Sequence, residues 1–281
     1  MRSMKPDPAV RVRKLRIQTP HGNIPALILS PKQTPVNATG VLWLHGGGYI
    51  AGMKEMVHMS RAVDLVKRFG AVVLSPGYRL ALRSPYPAAL DDCYASLLYL
   101  KANAASLGVR ADQLMVGGES AGGGLAAALC MYEKDIGGVN IAFQMPLYPM
   151  IDDRDTETSR DNHAPVWNTR RNHSAWSKYL RGVDGDVPAY AAPARREDYS
   201  GLPPAYTFVS TAEPFYAETM AFIDNLRRAG VEADVDVYPG LFHAFDMMLP
   251  CLKVSKQAGA EFEKRFEYAA EHYFAIQDDE K

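Results

Sequence analysis

Cysteine is scarce in this sequence, and neither sign of charge dominates. The three cysteines, Cys93, Cys130 and Cys251, are odd in number and far apart, so they form neither a disulfide framework nor the spacing of a zinc site. The formal net charge of -1 leaves no basic surface for nucleic acid or for anionic membranes. We therefore expect no metal, no disulfide and no nucleic-acid partner.

Long apolar runs are also missing. No segment is long enough to cross a bilayer, and the first residues lack the apolar stretch of a signal peptide. These absences predict a cytoplasmic protein without stable membrane insertion. The chain does have 281 residues, of which 47% are hydrophobic, and this is enough to bury the core of a single α/β domain with a small cap.

Segments with the period of strands alternate with segments of helical period along most of the chain. A hairpin over residues 10–29, with its turn at residues 21–23, comes first. The strands predicted after it cover residues 41–44, 71–75, 113–116, 141–147, 205–209 and 233–238. The predicted helices cover residues 57–69, 87–103, 124–131, 215–229 and 252–274. This alternation predicts an α/β fold with a mostly parallel twisted sheet flanked by helices.

Residues 152–200 interrupt the alternation. They are polar, contain Trp167 and Trp176, and carry a helical signal only near residues 175–180. We expect this insertion to form a cap over the carboxyl edge of the sheet, where open α/β sheets bind ligands. A surface excursion without a ligand role is the alternative, and the aromatic residues argue against it. The two tryptophans and Tyr49 are the candidates for substrate binding.

A G-x-S-x-G pattern is centred on Ser120. The predicted strand 113–116 precedes it, and a predicted helix rich in alanine and leucine follows it. Strand, sharp turn and helix form the context of a nucleophile elbow. Such a turn leaves no room for side chains beside the serine, which explains glycine at positions 118 and 122. A glycine-rich turn with an incidental serine is the alternative.

Three consecutive glycines follow His45 directly after an apolar strand. Glycine lets backbone N–H groups approach a substrate without a Cβ in the way. Together with the N–H of Ala121, those of Gly47 and Gly48 are candidates for an oxyanion hole. A phosphate-binding loop is the alternative, but neither G-x-G-x-x-G nor a following Lys-Ser/Thr is present. We expect His45 to brace this loop rather than act as a base.

A base and an acid are needed to activate a serine hydroxyl. His243 lies in a loop after the last predicted strand and is the strongest candidate base among seven histidines. Glu213 follows the strand before it, so Ser120, Glu213 and His243 stand in the order of α/β hydrolases. Glu213 could instead cap the next helix. Asp246 and Asp236 are the alternative acids.

In this order the motifs resemble those of the hormone-sensitive-lipase-like family of α/β-hydrolase esterases. The family's motifs fall on these residues of the chain: H-G-G-G on 45–48, Y-R-L-A-P-E on 78–83, P-A-A-x-x-D on 87–92, G-D-S-A-G-G on 118–123, L-P-P-x on 202–205, D-P-L on 213–215 and H-G-F on 243–245. The chain departs from the family where Glu119 and Glu213 replace aspartate and where Leu82-Arg83 replaces Pro-Glu. Few residues precede the first strand, so we expect a smaller cap than the family usually carries.

The resemblance implies a serine carboxylesterase with no metal or organic cofactor. It would act through an acyl-enzyme, so its partner is a small-molecule ester. We expect short acyl chains, because nothing in the sequence resembles a lipid-binding lid. An amide, formamide or acetyl-group hydrolase of the same mechanism stays open. A non-catalytic binding protein, as in the related gibberellin receptors, is disfavoured because those lack the histidine found here at position 243. The sequence leaves the oligomeric state open, including a homodimer.

Overall fold

The computed structural model describes residues 1–277 of the chain. Within them, eight strands form one sheet: β1 (Val10–Thr19), β2 (Gly22–Pro31), β3 (Ala38–Leu44), β4 (Val72–Pro76), β5 (Val109–Glu119), β6 (Phe143–Leu147), β7 (Ala205–Ser210) and β8 (Ala233–Tyr238). Seven α-helices accompany them: α1 (Ala62–Phe69), α2 (Ala88–Ala102), α3 (Ala121–Ile136), α4 (Thr169–Tyr179), α5 (Tyr216–Arg228), α6 (Phe245–Met248) and α7 (Lys253–His272). Short 3-10 helices lie at Lys54–Met59, Ala105–Leu107 and Pro193–Arg195.

The strand order across the sheet is β1-β2-β4-β3-β5-β6-β7-β8. Strand β2 is antiparallel to both β1 and β4, whereas the strands from β4 to β8 run parallel. The predicted α/β fold, with a mostly parallel sheet after an antiparallel start, is confirmed. Among the helices of residues 1–277, none combines the length and the apolar character that a membrane crossing requires.

Strand β3 shows how the sheet divides the core. Leu42 and Leu44 belong to the apolar cluster that α2 and α3 cover. Val41 and Trp43 belong to the cluster on the other face, which α1 and α7 cover. Successive side chains of a strand point to opposite faces, so a strand that is buried on both faces is apolar throughout.

One predicted helix is divided in the structure. The helix expected over residues 57–69 is a 3-10 helix followed by the separate helix α1. Between them Ser60 takes an extended backbone with φ of −78° and ψ of 176°. Its hydroxyl donates to the carbonyl of Val57 at 2.8 Å and accepts from the N–H of Ala62 at 3.0 Å. The prediction of one continuous helix was wrong because this side chain satisfies the backbone at the break.

Residues 152–200 connect β6 to β7 and contain helix α4. This helix begins earlier than predicted, because the side chain of Asn168 accepts a backbone N–H of the first turn. Its buried face ends at Tyr179, whose ring stacks on that of Tyr49 at 4.0 Å. The predicted helix at residues 175–180 is therefore only the last part of α4.

Candidate active site

Ser120 lies at the turn between β5 and α3. Its φ of 59° and ψ of −122° are rare for a residue with a side chain. Three hydrogen bonds hold this backbone: its N–H donates to Leu147 at 3.0 Å, and its carbonyl accepts from Gly124 at 2.9 Å and Met150 at 3.1 Å. The strained turn presents the hydroxyl beyond the end of the strand.

The two glycines of the elbow are required by close backbone contacts. A Cβ on Gly118 would lie 2.5 Å from the carbonyl oxygen of Leu44. A Cβ on Gly122 would overlap the same oxygen. Strand β3 therefore passes so close to the turn that only glycine fits on either side of Ser120.

Ser120, His243 and Glu213 form one hydrogen-bonded series. Nε2 of His243 lies 2.8 Å from Oγ of Ser120, and Nδ1 of His243 is hydrogen-bonded to Oε2 of Glu213. The other carboxylate oxygen of Glu213 accepts from the N–H of Ser210 at 2.9 Å. With Nδ1–H donating to the carboxylate, Nε2 is the acceptor for the serine proton.

The alternative acids are engaged elsewhere. Asp246 accepts from Nε of Arg61 at 2.8 Å and from the hydroxyl of Tyr148 at 3.1 Å. Asp236 accepts from the hydroxyl of Tyr206 at 2.7 Å. Helix α5 has no side-chain cap at its first residue, so Glu213 does not serve as its N-cap. Of the acids considered from the sequence, the structure brings only Glu213 to the histidine.

The glycine loop after β3 runs against the elbow. A Cβ on Gly46 would lie 3.2 Å from Cβ of Ser120. Gly47 and Gly48 have φ of +124° and +60°. Within residues 1–277, the N–H groups of these two glycines and of Ala121 donate to no protein acceptor. We call these three N–H groups the oxyanion donors, because free donors beside a nucleophile can stabilise a developing negative charge.

His45, the first residue of this loop, is fixed by contacts with Tyr78. Its ring stacks on Tyr78 at 4.1 Å, and the Tyr78 hydroxyl donates to the His45 carbonyl at 2.6 Å. Burial lowers the pKa of His45 to about 4, so the ring is neutral at pH 7. This geometry agrees with a bracing role and leaves His45 outside the hydrogen-bonded series.

Three aromatic rings surround His243. Phe215 lies edge-on at 4.9 Å, Tyr148 edge-on at 5.1 Å, and Trp167 tilted at 6.4 Å between ring centroids. Trp167 also covers the loop of residues 45–48, which we call the oxyanion loop, since a Cβ on Gly48 would overlap its indole. Only Trp167 was a candidate from the sequence. The position of Phe215 two residues after Glu213 was an available signal, whereas Tyr148 offered none.

The other two substrate-binding candidates, Tyr49 and Trp176, are buried and pack against each other. Tyr49 is only 1% exposed, and its hydroxyl donates to the carbonyl of Met150 at 2.6 Å. Trp176 packs against Tyr49 with ring centroids 5.4 Å apart. The structure thus places Trp167 beside His243 and uses Tyr49 and Trp176 to seat α4 on the domain.

The sequence and structure match known esterases. The pattern of the family described as alpha/beta hydrolase fold matches residues 41–247. The chain is 32% identical to Esterase LipI of Mycobacterium tuberculosis, over 85% of this chain and 76% of that protein. It is 30% identical to Carboxylesterase NlhH of the same species, over 79% and 71%. A solved structure titled Bacterial Heroin Esterase superposes with a TM-score of 0.89 at 31% identity, over 95% of this chain and 86% of that one.

Proposed function

The chain belongs to the hormone-sensitive-lipase-like family of α/β-hydrolase esterases, which are carboxylic ester hydrolases, and on this premise we propose that it is a serine esterase for short-chain acyl esters. The observation that carries the proposal is the hydrogen-bonded series from Ser120 through His243 to Glu213 beside three free N–H donors. Its partner is then a small-molecule ester, and the chemistry calls for no cofactor.

The geometry fits a two-step acyl transfer. Oγ of Ser120 attacks the ester carbonyl while Nε2 of His243 takes its proton, and Glu213 stabilises the imidazolium. The oxyanion donors hold the carbonyl oxygen as it becomes negative. The bond to the alcohol oxygen then breaks, and His243 returns the proton to the leaving alcohol. Water, deprotonated by the same histidine, attacks the acyl-enzyme and releases the acid and the serine.

The limit to short acyl groups is supported by the cap. Ser120 is 6% exposed and His243 is 3% exposed, so both side chains lie almost wholly beneath the surface. The indole of Trp167 lies against Gly48 and beside His243, so it borders both the oxyanion donors and the histidine. A long acyl chain would have to displace this ring.

The test is the initial rate on p-nitrophenyl esters from acetyl to dodecanoyl. Ser120→Ala and His243→Ala should abolish turnover, and Glu213→Ala should reduce kcat by up to about 10⁴-fold. Asp236→Asn is the matched control, because this alternative acid contacts Tyr206 and should leave kcat unchanged. A wild type without ester hydrolysis would overturn the proposal, and an active Glu213→Ala would remove Glu213 from it.

A further inference from the structure

Two buried carboxyl groups flank the reacting residues without taking part in the proposed chemistry. Glu119 directly precedes Ser120, and Asp246 lies three residues after His243 on the short helix α6. Their exposed fractions are 2% and 0%. Burying a carboxyl group costs free energy unless it is hydrogen-bonded or paired, so both positions need an explanation.

Glu119 joins the elbow to two other elements. Its Oε2 accepts from Nε1 of Trp43 on β3 at 2.8 Å, and its Oε1 accepts from the backbone N–H of Arg61 at 3.2 Å. Trp43 stands two residues before the oxyanion loop begins. A side chain that reaches both donors ties the residue before the nucleophile to the strand that carries the oxyanion loop. Aspartate is one methylene shorter, which gives a physical reason for glutamate at this position.

Asp246 joins the base loop to the same arginine. It accepts from Nε of Arg61 at 2.8 Å and from the hydroxyl of Tyr148 at 3.1 Å. Burial, and then the charge of Asp246, raise the pKa of Tyr148 well above its usual value, so this hydroxyl is a donor. The Tyr148 ring meets His243 edge-on at 5.1 Å with an interplanar angle of 83°. Asp246 therefore holds the Tyr148 ring that packs against His243.

Arg61 is the residue that both carboxyl groups share. Its guanidinium is enclosed by α7, where it donates to the carbonyl of Ser255 at 3.2 Å and occupies the space beside Gly259. Burial acts to lower the pKa of Arg61, but Asp246, Asp64 and Tyr148 together outweigh it and the pKa is raised, so the group stays charged. One buried cation thus faces the loops of the nucleophile and of the base.

We propose that Arg61 is a positioning residue that sets the distance between Ser120 and His243. Its backbone N–H fixes Glu119 beside the nucleophile, and its guanidinium fixes Asp246 and, through Tyr148, the ring of the base. The inference rests on the proposed function, since it assigns a role in the same reaction. A buried ion pair contributes little to stability compared with apolar residues of similar volume. We therefore assign the pair of Arg61 and Asp246 a role in fixing the position of the two loops.

The test compares Arg61→Lys and Tyr148→Phe with wild type. Lysine keeps the buried charge but loses the Nε geometry, and phenylalanine keeps the ring but loses its bond to Asp246. Each should lower kcat by about 10- to 100-fold with KM nearly unchanged, because a displacement of the base by about 1 Å has effects of this size. The double variant should lose less than the product of the two, because both act through Asp246.

Arg68→Lys on α1, the helix that Arg61 precedes, is the matched control, because its side chain is 63% exposed and pairs with Glu263 of α7. Melting temperatures of all variants separate folding from catalysis. If kcat stays at the wild-type value while the melting temperature falls, the cluster is structural and the inference is wrong. Additive losses in the double variant would also overturn it. If Arg61→Lys does not fold, Tyr148→Phe alone decides through its kcat. Wild-type protein without ester turnover would instead overturn the proposed function.

Discussion

Glu119 shows how burial changes the chemistry of a single side chain. Its carboxyl group is enclosed between β3, β5 and α1, and burial raises its pKa to about 8. The hydrogen bond from Trp43 opposes this shift but does not cancel it. The buried cation beside it, Arg61, is already paired with Asp246. Glu119 is therefore mostly protonated at pH 7.

The raised pKa predicts a pH-dependent stability. An acid whose folded-state pKa exceeds its unfolded value of 4.5 contributes stability that is complete below about pH 4.5 and is lost as pH rises to about 8. Glu119→Gln stays neutral at every pH. Its free energy of unfolding should therefore rise relative to that of wild type by on the order of 1 kcal/mol for each pH unit between these two values. Urea midpoints from pH 5 to pH 9 measure it. Glu267→Gln, exposed on α7, is the control. Parallel curves for wild type and Glu119→Gln would contradict the prediction.

At the scale of elements, residues 152–200 cover part of the sheet edge beside Ser120 and His243. Residues 152–200 bring Trp167 over the oxyanion loop, while α4 is held by the rings of Tyr49, Trp176 and Tyr179. Trp167 also donates from Nε1 to the side chain of Asn172 in α4 at 3.2 Å. One face of the cap therefore packs against the rest of the domain, and the indole of Trp167 projects from the cap towards Gly48 and His243.

Removing that indole should change the acyl preference. Trp167→Ala should shift the optimum of the p-nitrophenyl ester series to longer chains, because it opens space beside Gly48 and His243. Hydrolysis of the acetyl ester should continue, because Ser120, His243 and Glu213 are unchanged. Tyr190→Phe is the cap control, since its hydroxyl donates to Asp135 at the surface. An unchanged chain-length profile in Trp167→Ala would show that this ring does not limit the acyl group.

Several element limits could not be read from the sequence. Helix α6 has only four residues and begins after Ala244, whose φ is +58°. No apolar period is visible over so short a length, so α6 was not predicted. Strand β5 covers Val109–Glu119, more than the predicted residues 113–116, because pairing with β3 extends it at both ends. Hydrogen-bond partners on other strands determine such limits.

For the molecule as a whole, stability comes from the two apolar layers on the faces of the sheet. Phe262 of α7 is fully buried and contacts Trp43 of β3 and Tyr206 of β7, with ring centroids 6.0 and 6.3 Å apart. It therefore joins the last helix to the centre of the sheet. This face also carries Arg61 and the base loop, while the cap lies with the cluster on the opposite face.

Truncating this side chain should destabilise the fold. Phe262→Ala should lower the free energy of unfolding by about 3 to 5 kcal/mol, because it leaves a cavity between helix and sheet. Tyr268→Ala on the same helix is the control, since its ring is 47% exposed. Denaturant unfolding of both variants measures the difference. Equal midpoints would mean that the core closes around the lost ring.

The α/β class, the strand sequence and the position of the elbow could be predicted because they depend on local features. Apolar periods indicate strands and helices, and the turn at Ser120 demands glycine on both sides. The membership of the esterase family follows from the order of these motifs. The cytoplasmic location stays a prediction of the sequence, which leaves the oligomeric state open.

The tertiary structure alone decided between the acids, because 30 residues separate Glu213 from His243 and 123 separate Ser120 from it. Only the strand order brings the ends of β5, β7 and β8 to one edge, where Glu213 reaches the histidine and Asp246 turns to Arg61. The same holds for Trp167, which nothing in the sequence distinguishes from Trp176 as the ring beside the base. The sequence determined where strands, helices and the elbow form, because these depend on local residues. The packing of distant segments decided which side chains meet.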